Sequence, residues 1–304
     1  MKISIIIIVK NDYRIEKTLE YLEGIRTDHQ YEIIVVDASA VNLLVDIKNK
    51  FINVNWLYYT KKPNKKTYPE QRNIGIANAK GEIIIFIDAD CIPDDGWLDE
   101  IIKPIIEQGE LIVAGSVKSI GGRSFWDVEQ ESMQLKEYID ECSTINMAFV
   151  KSIIKRVGFF DETFEAGEDT DFSWRAVDSG YKIKYNKNAI VYHDWGNLQH
   201  QIKRAITYGE ARVRLYAKHS NRLRNLSYKD NATLLYPLYL LFLPVSIVFP
   251  YYLLLIIIPI LKDIRKSPFK TFFFQMLFGF GVLKGFVFFL KKLLSQEHDL
   301  ESHR

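Results

Sequence analysis

Apolar positions along the chain fall into two rhythms. Ile3–Val9 is an unbroken, mostly β-branched run, the pattern of a strand buried on both faces. Glu32–Val36 repeats it and stops at Asp37, Val54–Tyr58 is a weaker third run, and Ile83–Ile87 is a fourth that stops at Asp88-Ala89-Asp90. Between these runs the spacing turns helical. Asn11-Asp12 can cap a helix over Tyr13–Ile25, and Pro69–Ala79 predicts a helix closed by Gly81. Strands alternating with helices at this spacing predict an α/β domain with a mostly parallel sheet. Ligands of such sheets bind beyond the carboxyl ends of the strands, which is where Asp37, Asp88 and Asp90 fall.

Past Glu110 the pattern predicts a strand at Leu111–Val117, an amphipathic helix at Phe125–Asp140, a short strand at Asn146–Phe149 and a short helix at Lys151–Val157. Gly167-Glu168-Asp169-Thr170-Asp171 opens a helix over Phe172–Ser179. Two short strands, Lys182–Tyr185 and Ala189–Tyr192, precede a long helix at Asn197–Arg224 rich in Lys and Arg. The rhythm then gives way to two long apolar stretches, Leu234–Leu261 and Phe272–Leu290. Each exceeds or approaches the ~20 residues with which a helix crosses ~30 Å of hydrocarbon. Two spans are expected, with a re-entrant hairpin and buried helices as the alternatives. Lys262, Arg265, Lys266 and Lys270 between the stretches favour the cytoplasmic side.

Composition sharpens this picture. Residues 231–304 hold 8 Lys and Arg against 4 Asp and Glu, leaving the body near neutral. A net charge of +2 excludes a histone-like nucleic-acid binder, and no nucleic-acid partner is expected. With 26% charged and 13% aromatic residues, the chain is not a disordered one. Two cysteines, Cys91 and Cys142, cannot build a disulfide framework, so a reducing compartment is expected. The apolar start is too short for a signal peptide. No G-x-G-x-x-G follows the first strand, which disfavours dinucleotide chemistry.

Asp88-Ala89-Asp90 can share one divalent cation, and oxygen ligands suit Mg²⁺ or Mn²⁺ held together with substrate phosphates. Around it lie Gln71-Arg72-Asn73-Ile74-Gly75-Ile76-Ala77-Asn78-Ala79-Lys80-Gly81-Glu82, then Pro93-Asp94-Asp95-Gly96-Trp97-Leu98, Val157-Gly158-Phe159-Phe160-Asp161-Glu162 and Gly167-Glu168-Asp169-Thr170-Asp171. With the opening Ile3–Leu22 and Val35-Val36-Asp37-Ala38-Ser39, this ordered set resembles the family-2 inverting glycosyltransferases of GT-A fold, over about residues 3–195. The resemblance implies a Rossmann-like sheet with flanking helices (1–195); charge and hydropathy add a basic amphipathic linker (196–230), a helical membrane tail (231–292) and a polar end (293–304).

It also implies roles. Asp37 would contact the base of a nucleotide-sugar donor, Arg72 would lie near the nucleotide, and Asp88 would meet the ribose or the metal. Asp90 would bind the metal, with His193 as a third ligand of Mn²⁺ or Mg²⁺. Asp169 would be the general base that deprotonates an acceptor hydroxyl. Ala38 departs from the family, many of whose members carry a second acid there. The processive members' Gln-x-x-Arg-Trp is also missing: Gln199-His200-Gln201-Ile202-Lys203-Arg204 has no such Trp. The implied reaction is therefore transfer of one sugar, with inversion; the basic helix and the apolar tail add the expectation of a lipid-linked glycan acceptor at the cytoplasmic face of the cell membrane. The rival readings are a polyprenyl-phosphate glycosyltransferase, a phosphohydrolase of haloacid-dehalogenase type, and a catalytically silent membrane scaffold.

Overall fold

The structure is a computed structural model that describes residues 1–60, 67–121, 127, 133–256 and 268–302. The chain forms two units, Met1–Asp194 and Trp195–Arg304. In the first, β1 (Ile3–Val9) runs parallel between β2 (Tyr31–Asp37) and β4 (Ile83–Ile87), and β3 (Asn55–Tyr58) extends the sheet beyond β2. All seven residues of β1 are apolar or nearly fully buried because helices cover both faces. The register pairs Val9 with Asp37 and Ile3 with Ile83, so the carboxyl ends of β1, β2 and β4 share one edge.

The sheet is mixed rather than mostly parallel. β8 (Asn146–Val150) is antiparallel to both β4 and β6 (Ile112–Ser119), while β9 (Ile183–His193) runs parallel to β6. Two short strands, β5 (Cys91–Pro93) and β7 (Tyr138–Ile139), are antiparallel to β9. The two strands expected at 182–185 and 189–192 are thus one, β9. The polar Asn186-Lys187-Asn188 stretch between them shifts the register against β6 between Gly115 and Ser116 without ending the strand. Asn146 stitches the irregularity: its Nδ2 donates to the carbonyls of Ser116 (2.9 Å) and Ala189 (2.8 Å), and its Oδ1 accepts from Trp97 Nε1 (2.9 Å). A Cβ at Gly115 would overlap the Asn146 amide and the Ala189 carbonyl. Gly115→Ala is expected to cost about 1–3 kcal/mol, as overpacking a filled interior does, read as a lower urea midpoint at unchanged slope.

Helices α1 (Ile15–Glu23), α2 (Val45–Lys50), α3 (Tyr68–Asn78) and α4 (Trp97–Gln108) connect the strands, followed by the short α5 (Ile154–Val157) and by α6 (Glu168–Asp178). Asn11-Asp12 does not cap α1 through a side chain; Asp12 Oδ1 instead accepts from the Arg14 amide (3.0 Å) in a tight turn. Of the helix expected at Phe125–Asp140, residues 125–126 and 128–132 lie outside the described residues, and Tyr138–Ile139 form the strand β7. Beneath the sheet, Phe172 of α6 stacks on Phe160 (ring centroids 4.6 Å apart) and packs on Phe149 of β8 (5.4 Å). Such aromatic pairs contribute about 0.5–1.5 kcal/mol beyond the area they bury. They fix the start of α6 against the sheet.

In the second unit, α7 (Leu198–Lys218) is capped by Asn197, whose Oδ1 accepts from the His200 amide (3.1 Å). The long helix expected to reach Arg224 stops at Lys218: His219 leaves helical dihedrals, and a tight 3₁₀ stretch occupies Ser220–Ser227. The first apolar stretch is broken as well, into α8 (Ala232–Leu241) and 3₁₀ turns at Leu243–Ile247 and Pro250–Ile256. Pro244 and Pro250 each remove an amide donor that a continuing helix would need. The last helix, α9 (Pro268–Ser302), contains Phe269–Lys291, which among the described residues is long and apolar enough to cross a membrane. Gly209 of α7 and Gly281 and Gly285 of α9 let the two backbones meet so closely that a Cβ at any of them would overlap the facing helix. Lys284 donates to Glu210 (2.7 Å) beside that seam.

Candidate active site at the strand tips

Two elements bring the D-x-D turn together with a residue about a hundred positions away. Asp88 and Asp90 follow β4, and β5 begins at once. Because β5 pairs antiparallel with β9, Cys91 lies opposite His193, and the Asp194 amide donates to the Asp90 carbonyl (3.3 Å). His193 Nε2 therefore sits 3.3 Å from Asp90 Oδ1 and 3.9 Å from Asp88 Oδ2. Neighbouring ligands of an octahedral ion with bonds of about 2.0–2.1 Å stand roughly 3 Å apart. The Asp90 oxygen and the His193 nitrogen come near this spacing, while the Asp88 oxygen stands farther off. The Cys91 thiol is also close, completing a group with Asp90 and His193 whose ligand atoms lie within 4.8 Å of one another. Burial pushes that thiol well up, and Asp88 and Asp90 push it further, so Cys91 stays protonated and is a poor ligand for a hard cation.

The D-x-D turn is braced from α1. Thr18 Oγ1 lies 2.7 Å from the Ala89 carbonyl and 2.8 Å from that of Cys91. One turn earlier, the Arg14 guanidinium reaches Asp90 Oδ2 (3.1 Å). Neither residue stood out in the sequence.

Asp37 ends β2 nearly fully buried. Its Oδ1 accepts from the Ser39 amide (2.8 Å) and its Oδ2 from Trp56 Nε1 (3.1 Å). These bonds fix the carboxylate at the same sheet edge as Asp88. Each oxygen keeps a lone pair for a further donor.

Asp169 stands in the first turn of α6, after Gly167, whose φ of 81° lies in the left-handed region that glycine tolerates. Its Oδ1 accepts from the Thr170 amide (2.8 Å). The start of α6 is held from below by Arg175, which donates to Asp171 Oδ2 (2.8 Å) and to the carbonyls of Val157 and Phe159. Asn73 of α3 bonds both the amide and the carbonyl of Phe160 (each 2.9 Å). Burial, reinforced by the negative Glu168, pushes the Asp169 carboxyl up to about 7, against the opposing pull of Arg72.

Arg72 is not an exposed cation waiting for a nucleotide. It is 5% exposed and ion-paired with Glu168, itself 4% exposed. Burial works against its charge, but Glu168, Asp88 and Asp169 together hold it protonated. One guanidinium is thus within electrostatic reach of both the D-x-D carboxylate Asp88 and the α6 acids. The sequence singled out Arg72 and placed Glu168 in the Gly-Glu-Asp element, but did not anticipate their pairing.

Comparison with known proteins places this arrangement. A 25% identical relative from Methanococcus voltae, aligned over 94% of this chain and 97% of its own, is a dolichyl N-acetyl-α-D-glucosaminyl phosphate 3-β-D-2,3-diacetamido-2,3-dideoxy-β-D-glucuronosyltransferase. The pre-mycofactocin glycosyltransferase of Mycobacterium tuberculosis is 26% identical over 72% of this chain. The chain spans about half the length of that relative (48%). Among solved structures, the mannosyltransferase PcManGT of Pyrobaculum calidifontis, in complex with GDP-Man and Mn²⁺, superposes with a TM-score of 0.69 at 18% identity. That match covers 93% of this chain and 86% of the other. The first unit accordingly has the GT-A fold. The family model for glycosyl transferase family 2 matches residues 4–196, and the chain belongs to that family.

Proposed function

We propose that the protein transfers one sugar, with inversion, from a nucleoside-diphosphate sugar to a hydroxyl of a lipid-linked glycan at the cytoplasmic face of a membrane. The observation that carries this reading is the meeting of Asp88, Asp90 and His193 at one strand-tip edge, with Asp37 on the same edge and Asp169 across Arg72. Asp90 and His193, with Asp88, would hold Mn²⁺ or Mg²⁺, which when bound offsets the charge growing on the departing diphosphate. Asp37 is fixed to accept from a donor base N–H. Asp169 takes the acceptor proton as the hydroxyl attacks the anomeric carbon from the opposite face. A base titrating near neutrality suits that task, because a large fraction is ionised near pH 7 while the carboxylate stays basic enough to hold a proton.

An acceptor phosphate is already ionised and needs no base, so the polyprenyl-phosphate reading leaves Asp169 idle. The α9 segment Phe269–Lys291 and the Methanococcus voltae relative's lipid-linked substrate support an acceptor at a membrane. Screening UDP-, GDP- and dTDP-sugars with Mn²⁺ for thermal stabilisation tests the donor half. One or more should raise the melting midpoint, and saturating donor at 100 times its Kd stabilises by about 2.7 kcal/mol. No stabilisation by any nucleotide sugar would leave the membrane-scaffold reading in its place.

A further inference from the structure

The Asp90 carboxylate of the D-x-D pair already faces a cation. Arg14 stands just before α1, and its guanidinium gathers acids from three loops. Nε and Nη2 form a fork on Asp12 (2.9 and 2.6 Å), Nη1 reaches Asp194 Oδ2 (2.8 Å), and Nη2 reaches Asp90 Oδ2 (3.1 Å). Asp12 follows β1, Asp90 follows β4, and Asp194 follows β9 directly after His193. The Asp90 carboxylate is therefore divided. Oδ2 faces Arg14, while Oδ1 faces His193 at 3.3 Å on the side suited to a metal.

We propose that Arg14 is a built-in counter-cation of the strand-tip acids, weakening metal binding to the donor-free protein and so coupling metal uptake to arrival of the nucleoside diphosphate. This rests on the metal-dependent reading above. Three acids crowded together repel one another, and a fixed guanidinium fork holds them converged before any ligand arrives. The same positive charge sits on the opposite lobe of a carboxylate that must ligate a divalent cation, and like charges so close oppose one another strongly. A diphosphate reverses the balance, because its negative charge favours the divalent ion and the guanidinium alike.

Titration of Mn²⁺ into the full-length protein, read as loss of the free-ion electron paramagnetic resonance signal, tests this without turnover. Arg14→Met and Arg14→Gln should bind Mn²⁺ alone at least about tenfold more tightly than wild type. Arg14→Lys, which keeps the charge but not the fork, should stay near wild type. With excess GDP or UDP present the variants and wild type should converge. Circular dichroism establishes that each variant is folded, and two neutral variants at a half-exposed position guard against the loss of one. Neutral variants that bind Mn²⁺ alone no more tightly than wild type overturn the proposal. Asp90→Asn separates this failure from failure of the metal site itself: if it leaves Mn²⁺ binding unchanged with and without nucleotide, the ion binds elsewhere and the underlying reading falls.

Discussion

Asp169→Asn is expected to lower turnover at least ~10²-fold, the usual range for removing a general base, while leaving donor binding nearly intact. The substitution keeps the size of the side chain and the acceptor oxygen for the Thr170 amide, so the start of α6 should hold. In the wild type, kcat should rise with pH through an inflection near 7, because only the carboxylate accepts the proton and its carboxyl is pushed up to about 7. That limb should vanish in the Asn variant. Stability carries the opposite sign. A carboxyl raised in the folded state favours folding fully below its unfolded value of about 4, and the advantage is lost as pH rises through 7. Wild type should therefore lose stability relative to Asp169→Asn between pH 4 and 7 in denaturant titrations. Near-normal turnover in the variant would falsify the base assignment and revive the phosphate-acceptor reading.

The second large effect is expected at the Arg72–Glu168 pair. Arg72→Met leaves Glu168 buried without its partner, and breaking a buried pair from one side costs about 3–5 kcal/mol. Replacing both residues, as in Arg72→Met with Glu168→Met, should recover most of that loss, because no charge remains stranded. The pair also tunes its neighbour. Arg72 pulls the Asp169 carboxyl down and Glu168 pushes it up, so the inflection in kcat should move upward in Arg72→Met and downward in Glu168→Gln. A merely structural pair would change stability and leave both inflections in place. Parallel chemical denaturation and pH-rate profiles of the three variants decide between these outcomes.

Much of this site could be read from residue order because its acids sit where secondary structure ends. Asp37 and Asp88 each close a run of apolar residues, and a parallel arrangement of β1, β2 and β4 aligns those ends without further information. A glycine followed by acids marks the start of α6, but it does not single out Asp169 from Glu168 and Asp171; that distinction came from the resemblance to the family. The same logic failed for the helix bounds in the second unit. Hydropathy records how apolar a stretch is, not where proline withdraws its amide, so Leu234–Leu261 reads as one segment although Pro244 and Pro250 stand at the starts of two separate 3₁₀ turns.

The chain's own order of residues determined an α/β domain, its strand-tip acids and its apolar tail, since each follows from local periodicity and from what ends it. Only the tertiary structure decided that β9 returns beside β5 to bring His193 to Asp90, that Arg14 spans three loops, and that Arg72 is consumed by Glu168. Those outcomes depend on antiparallel pairing and on charge matching between residues 76 to 180 positions apart, for which no local pattern exists.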